Sequence, residues 1–483
     1  MASAPATSPS STASLQALDK QYVWHPFTHM SLWLADEPLV ITGGDGMYLI
    51  DSEGRRYLDG IASLWCNVHG HRVPEIDAAM KDQIDRISHT TLLGLTNEPA
   101  VLLAEKLIRI APPGLAKVFY SDSGATATEI AFKMAVQYWH NTGRPEKCEF
   151  VGLTEAYHGD TVGAMSIGMT AAFHKPYMPL LFKVHYAPAP HPYRWRSAGA
   201  THADDAGVAP TEDVRREALA GLEAILKQHH QTIAAICIEP LVMGAAGMIV
   251  HPPGYLAGVR ALADQYDVLL ICDEVATGFG RTGTMFACDQ ENVSPDLLCV
   301  AKGLTGGYLP LAATLATQRI FDSFLGQPWE GRTFFHGHTF TGNPLGCAAA
   351  LASLALFEQN DLLNAVQAKA KLLAEWLKPL AAHPHVGDVR QRGLMVGIEL
   401  VADKRTKQSF DPRRRLGADL CRRLRDRGVL LRPLGDIIVL FPPLAIAPDD
   451  LRRIVDALRE ELADLDPGVP AARAGDEIVA GDY

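Results

Sequence analysis

Asp273 follows the apolar run Val268–Cys272 in VLLICDEVATGFGRTG, and Lys302 lies just beyond a second apolar run in LLCVAKGLTGGYLP. A buried strand whose tip reaches an active site along the edge of an α/β sheet has this pattern, apolar residues and then a charge. A lysine amine in that setting can form a Schiff base with a carbonyl cofactor, and a carboxylate can hold a ring nitrogen protonated. Glu239 is a third ionisable group at a strand tip, ending AAICIE before Pro240. Leaving it unpaired in an apolar surrounding would cost on the order of several kcal/mol, so it needs a partner or a function.

Other residues add donors, aromatic surface and a cation. The turn Ser121-Asp122-Ser123-Gly124-Ala125-Thr126 joins an apolar strand to a helical pattern. Its small residues let backbone N–H groups approach an anion at the helix N-terminus, and they equally suit an ordinary N-cap. Tyr157, in Tyr157-His158-Gly159-Asp160, can stack on a planar ring or pack in the core. Arg432 in VLLRPLG fits a carboxylate clamp or a structural ion pair. His336 and His338 in FFHGHTFTGNP have no convincing third ligand nearby, so no metal is expected. The nucleotide loop GxxxxGK[ST] is absent, and so is a well-placed GxGxxG.

These groups need a scaffold. From Lys117 onward, apolar runs at Cys148–Leu153, Ala234–Glu239, Val268–Cys272 and Leu297–Ala301 alternate with helical patterns. That rhythm predicts a mostly parallel sheet with helices on both faces. Upstream, GDGMYLIDSEGRRYLDG predicts two strands joined by the turn Asp51–Gly54, and helices are expected over Val73–Ser88 and in EPAVLLAEKLIRIA. YVWHPFTHMSLW has no helical period and suggests a strap, while Pro188–Pro210 suggests a long excursion. The fold class is therefore α/β, with a small α+β domain built from both chain ends. The expected division is a disordered tail at 1–18, the first part of the small domain at 19–75, a large cofactor-binding domain at 76–345, the rest of the small domain at 346–463 and a frayed tail at 464–483.

Composition narrows the function classes. The 483 residues are 48% hydrophobic and 20% charged, ordinary for a soluble protein of more than one domain. A net charge of −11 gives no electrostatic case for nucleic acid or an anionic membrane. No apolar stretch is long enough to span a bilayer, and MASAPATSPSSTASLQ lacks the basic and apolar regions of a secretory signal. Eight cysteines without a CxxC pair read as reduced thiols of a cytoplasmic protein.

YVWHPFT, SLWCNVHGH, YSDSGATATEIAFK, YHGDT, IEP, DEVATGFGRTG, AKGLTGGYLPLAA and HGHTFTGNPLGCAAA together resemble the class III, pyridoxal-phosphate-dependent aminotransferases of fold type I. The resemblance runs from about Tyr22 to Leu462. YVWHPFTHM and LWCNVHGH look more narrowly like the biotin-pathway branch, which aminates the C7 ketone of 8-amino-7-oxononanoate to give 7,8-diaminononanoate. The resemblance implies a homodimer with shared active sites, acting on small molecules. It implies that Lys302 holds the cofactor, Asp273 faces its pyridine nitrogen, Tyr157 stacks on its ring and Glu239 lies beside it. Ser123, Gly124 and Ala125 would hold the phosphate, with Thr339 reaching the phosphate of the other subunit. Ala125 stands where some relatives have serine. Arg432 would receive the substrate carboxylate, and Phe27, Leu64 and Trp65 would line the substrate channel. Relatives that use S-adenosylmethionine carry a tyrosine where this chain has Phe27 and a tryptophan pair where it has Leu64-Trp65. Fewer aromatic and hydroxyl groups for a sulfonium make L-lysine the expected donor over S-adenosylmethionine. The segments LWCNVHGH and HTTLLGLTNEP also resemble the lysine-using branch. The alternative within the family is an ω-amino acid or diamine transaminase with another ketone acceptor. An aminomutase or decarboxylase could use the same lysine and acid, whereas no segment resembles a DNA-binding regulator.

Overall fold

The computed structural model describes residues 11–168, 171–196 and 208–465. Its central sheet has seven strands: β1 (Leu115–Ser121), β2 (Glu149–Leu153), β3 (His185–Ala187), β4 (Ile233–Ile238), β5 (Leu269–Asp273), β6 (Leu297–Val300) and β7 (Ala312–Thr317), in the order β1-β7-β6-β5-β4-β2-β3. Strands β6, β5, β4, β2 and β3 run parallel, while β7 is antiparallel to both β6 and β1. Two reversals restore direction, so β1 ends at the same edge as β2, β4, β5 and β6.

Every residue of β4 and β5 is buried. Alternate side chains serve opposite faces, as the two-residue period of a strand requires. Ile236, Ile238, Leu270 and Cys272 join one apolar cluster, together with Leu222 and Leu226 of helix Thr211–His229. Ala235, Cys237, Leu269 and Ile271 join another with Ala131 and Phe132 of helix Gly124–Asn141. Helices thus cover both faces, and the strands read as continuous apolar runs because neither face meets water.

Two four-stranded sheets flank this core. Ile41–Asp45, Tyr48–Asp51 and Arg56–Asp59 take Val429–Leu430 from the far end of the chain as their fourth strand, pairing Val429 with Leu58. The other sheet is antiparallel throughout and comprises Val386–Arg392, Met395–Leu400, Ile437–Leu440 and Arg432–Leu434.

Three expectations need correction. β7 was not anticipated: its sequence AATLAT is short and alanine-rich, and it follows Lys302 without the intervening helix that the rhythm led one to expect. The tail read at 1–18 extends too far, because Ser11 caps a helix over Thr12–Tyr22. The expected strap carries a helical turn, Met30–Ala35. Residues 1–10 and 466–483 of the two tails, and 197–207 of the excursion, lie outside the described residues. Among those described, no helix is long and apolar enough to cross a membrane.

Candidate active site

Beyond the shared strand edge lies a cavity of about 820 Å³. Phe27, Leu64, Trp65, Ser123, Gly124, Ala125, Tyr157, Glu239, Asp273, Lys302 and Arg432 all line it, so eleven residues singled out from the sequence converge on one space. Thr339 does not. It is exposed in the loop before helix Pro344–Gln359, outside the cavity of its own chain.

β5 delivers Asp273 to the cavity floor, where it is 5% exposed. Its Oδ1 accepts the Val275 N–H at 3.0 Å, and its Oδ2 lies 2.8 Å from Nδ1 of His158. Burial opposes charge on His158 most strongly, but the hydrogen bond and charge of Asp273, with Glu239 beyond, together raise its pKa above the usual value. His158 is therefore the residue that orients Asp273. Its sequence motif was visible, but its partner lies 115 positions away and is reached only because β2 and β5 both flank β4.

Lys302 starts the turn after β6 with a left-handed φ of +44°. Its Nζ sits 4.8 Å from the ring centre of Trp65. Burial pulls the amine pKa down and Arg281 adds to that, while Asp273, Glu239 and Cys66 oppose. A lowered amine pKa leaves more neutral nitrogen for attack on a carbonyl.

Helix Gly124–Asn141 begins at the cavity wall with Ser123 as its cap, so Gly124 and Ala125 stand at the positive end of the helix dipole. A side chain at Gly124 would meet Val275 Cγ1 at 2.6 Å, and one at Gly159, φ +118°, would meet Ala125 Cβ at 2.4 Å. Glycine lets these backbones close around the helix start. Ser121 Oγ and Thr161 Oγ1 are buried nearby in sequence without a protein partner. Glu239 accepts the N–H groups of Tyr157 at 3.2 Å and Gly244 at 2.8 Å, which answers the question of its partner. Burial, reinforced by Asp273 against the pull of His158 and the two N–H groups, pushes its pKa up to about 7. His336 and His338 face each other, with Nε2 atoms 3.2 Å apart. Among the described residues, no group of three or more His, Cys, Asp or Glu could hold a metal ion.

Aromatic side chains supply much of the remaining wall. Trp65 stacks on Phe441 at 5.4 Å between ring centres, and the Arg281 guanidinium lies 3.9 Å from the other ring's centre. Phe27 meets Phe173 edge-on at 5.7 Å, and Phe173 meets Tyr157 edge-on at 6.3 Å. Phe173 carried no signal in the sequence. Tyr157 also donates its hydroxyl to Asp160 at 2.7 Å. Ala62, Ser63, Leu64 and Trp65 all adopt left-handed backbone, φ +48°, +48°, +75° and +69°. None is glycine, so each position costs about 1–2 kcal/mol.

Known proteins bear the same stamp. The pattern of the family described as aminotransferase class-III matches residues 33–462. The chain belongs to the class III aminotransferases. A Geobacter sulfurreducens relative of this aminotransferase, named adenosylmethionine-8-amino-7-oxononanoate aminotransferase, is 53% identical over 93% of this chain and 98% of its own. A crystal structure of a Methanocaldococcus jannaschii protein of the same name matches with a TM-score of 0.88 and 44% identity, covering 94% of this chain and all of that one. An omega transaminase from Pseudomonas jessenii, solved in complex with PMP, matches with a TM-score of 0.87 and 31% identity over 94% of this chain and 100% of its own. This aminotransferase uses pyridoxal phosphate. The cavity suits that group: a low-pKa lysine and a buried, oriented carboxylate share it with a helix start stripped of side-chain bulk.

Proposed function

We propose that this aminotransferase transfers an amino group to the C7 ketone of 8-amino-7-oxononanoate, giving 7,8-diaminononanoate for biotin synthesis. The observation that carries the proposal is Arg432 in the same cavity as Lys302, with the apolar wall of Phe27, Leu64 and Trp65. A chain-like ketone with a carboxylate at one end needs such an apolar wall and one cation. The similarity to relatives of that name supports the reading.

Pyridoxal phosphate, when bound, supplies an electron sink for a carbanion at the substrate carbon. Lys302 would hold it covalently and then, as a free amine, carry the transferred proton on Nζ. Asp273, fixed by His158, would keep the pyridine nitrogen protonated, and Tyr157 would cover the ring. Ser123, Gly124 and Ala125 would take the phosphate. Arg432 would orient the acceptor by its carboxylate. Replacing Arg432 by alanine removes a charge-assisted contact worth ~1.5–3 kcal/mol, so acceptor kcat/KM should fall roughly 10- to 150-fold with cofactor content unchanged. Steady-state kinetics check this, and an unchanged acceptor kcat/KM would place the carboxylate elsewhere.

The working form is proposed to be a homodimer in which Thr339 completes the partner's phosphate site. Thr339 is exposed beside Phe340 (56% exposed) and close in sequence to Phe335 (82%) and Trp329 (81%), apolar surface that a second copy would cover. Light scattering under assay conditions should give two chains per particle; a fully active single chain would contradict the arrangement.

For the donor we propose L-lysine. Leu64 offers no aromatic face, and Asp160 at the cavity wall is an exposed carboxylate available to the lysine ammonium. Two observations favour S-adenosylmethionine instead: the Geobacter and Methanocaldococcus relatives are named for it, and Phe173, set edge-on to Phe27, returns an aromatic surface to the same wall. The alternative acceptor class, that of an ω-amino acid or diamine transaminase, draws support from the Pseudomonas jessenii likeness at lower identity.

A further inference from the structure

The left-handed turn Ala62–Trp65 places Leu64 and Trp65 in the cavity, and its backbone would relax if nothing held it. What holds it is one buried carboxylate. Asp59, at the end of strand Arg56–Asp59 and fully buried, accepts the Ser63 N–H at 3.0 Å and the Ser63 hydroxyl at 2.7 Å. His71 Nε2 braces the same carboxylate at 3.1 Å, and Nδ1 of that ring lies 3.2 Å from Nδ2 of Asn67. Asn67 in turn accepts the Gly70 N–H at 2.7 Å. The turn is closed on its own side by Trp65 N–H to Ile61 O at 2.9 Å and Cys66 N–H to Ala62 O at 3.0 Å.

We infer that Asp59 is a positioning residue: through Ser63 it keeps the strained turn in place and so sets Trp65 against Phe441 and Lys302. Asp59 does not line the cavity, so it acts on the reaction without touching the substrate, and the turn is its most direct route. Strain of this kind survives where surrounding bonds over-determine the backbone, and here they converge on two oxygens. The inference rests on the proposed acceptor only for the choice of assay.

The test is a double-mutant cycle on the holoenzyme with Asp59→Ala and Trp65→Ala. Asp59→Ala alone should raise the KM for 8-amino-7-oxononanoate by roughly 10-fold, with pyridoxal phosphate content unchanged. In the Trp65→Ala background the same change should matter by less than about 2-fold, because its route is already gone. Asp59→Asn keeps an oxygen for the Ser63 N–H and should restore most of the loss. If Asp59→Ala does not fold, Ser63→Ala removes only the hydroxyl tie and should show the same coupling with a shift of about 3-fold. Additive effects would overturn the inference, as would a crystal structure of Asp59→Ala with the turn and Trp65 unmoved. The cycle is also read on the half-reaction with whichever amine donor the wild type accepts. A wild type that ignores 8-amino-7-oxononanoate would overturn the proposed substrate while leaving the coupling measurable.

Discussion

The Lys302→Ala enzyme should show no turnover above the assay background, and it should bind pyridoxal phosphate without the covalent link. Two other lysines test how selective this expectation is. Burial lowers the amines of Lys147 and Lys369 too, each to about 8, so a lowered amine pKa alone does not nominate a catalytic lysine. Position separates them: Lys147 donates to the Asp267 carbonyl and Lys369 to those of Leu444 and Ile446, and neither lines the cavity. Lys302 lies in the cavity with Asp273 and the helix start. Borohydride reduction of the wild type followed by peptide mapping should therefore find the cofactor on the Lys302 peptide. A label on Lys147 or Lys369, or appreciable turnover by Lys302→Ala, would remove the assigned role.

Asp273→Asn should slow the chemical step by at least ~100-fold, as when other preorganised charge partners are neutralised. The substitution is nearly isosteric, and the amide oxygen can still accept from His158, so the loop beyond β2 should stay in place. What disappears is the negative charge that keeps a ring nitrogen protonated. Cofactor content and thermal midpoint should stay close to the wild type while single-turnover rates collapse. Near-wild-type single-turnover rates would rule out the charge as the working feature.

How much of this was legible in the sequence depended on the range of the interaction. The acids and the lysine at strand tips were readable because a strand buried on both faces is an apolar run, and a charge ending it stands out. The parallel sheet followed from the same runs. β7 escaped because a short alanine-rich strand has no apolar signature, and its antiparallel place between β6 and β1 is decided by the sheet. The helix over Thr12–Tyr22 escaped because none of its residues is buried, so its pattern carried no apolar face. His158 was visible as a motif, but its hold on Asp273 depends on strands far apart in the chain. The turn at Ala62–Trp65 left the least trace: left-handed backbone is announced by glycine, and SLW contains none. Its support is a carboxylate at the end of a neighbouring strand, which acquires meaning only once Ser63 is folded against it.

The central claim is that Lys302 serves an amino transfer onto 8-amino-7-oxononanoate. It is tested most directly by running both half-reactions on one sample of holoenzyme while following the cofactor's visible absorption. Adding L-lysine should discharge the band of the Lys302-linked cofactor faster than S-adenosylmethionine does at equal concentration. After the donor is removed, 8-amino-7-oxononanoate should restore the band and release one equivalent of 7,8-diaminononanoate, detected by mass spectrometry. Restoration by the ketone partner of an ω-amino acid or diamine, with none by 8-amino-7-oxononanoate, would contradict the account.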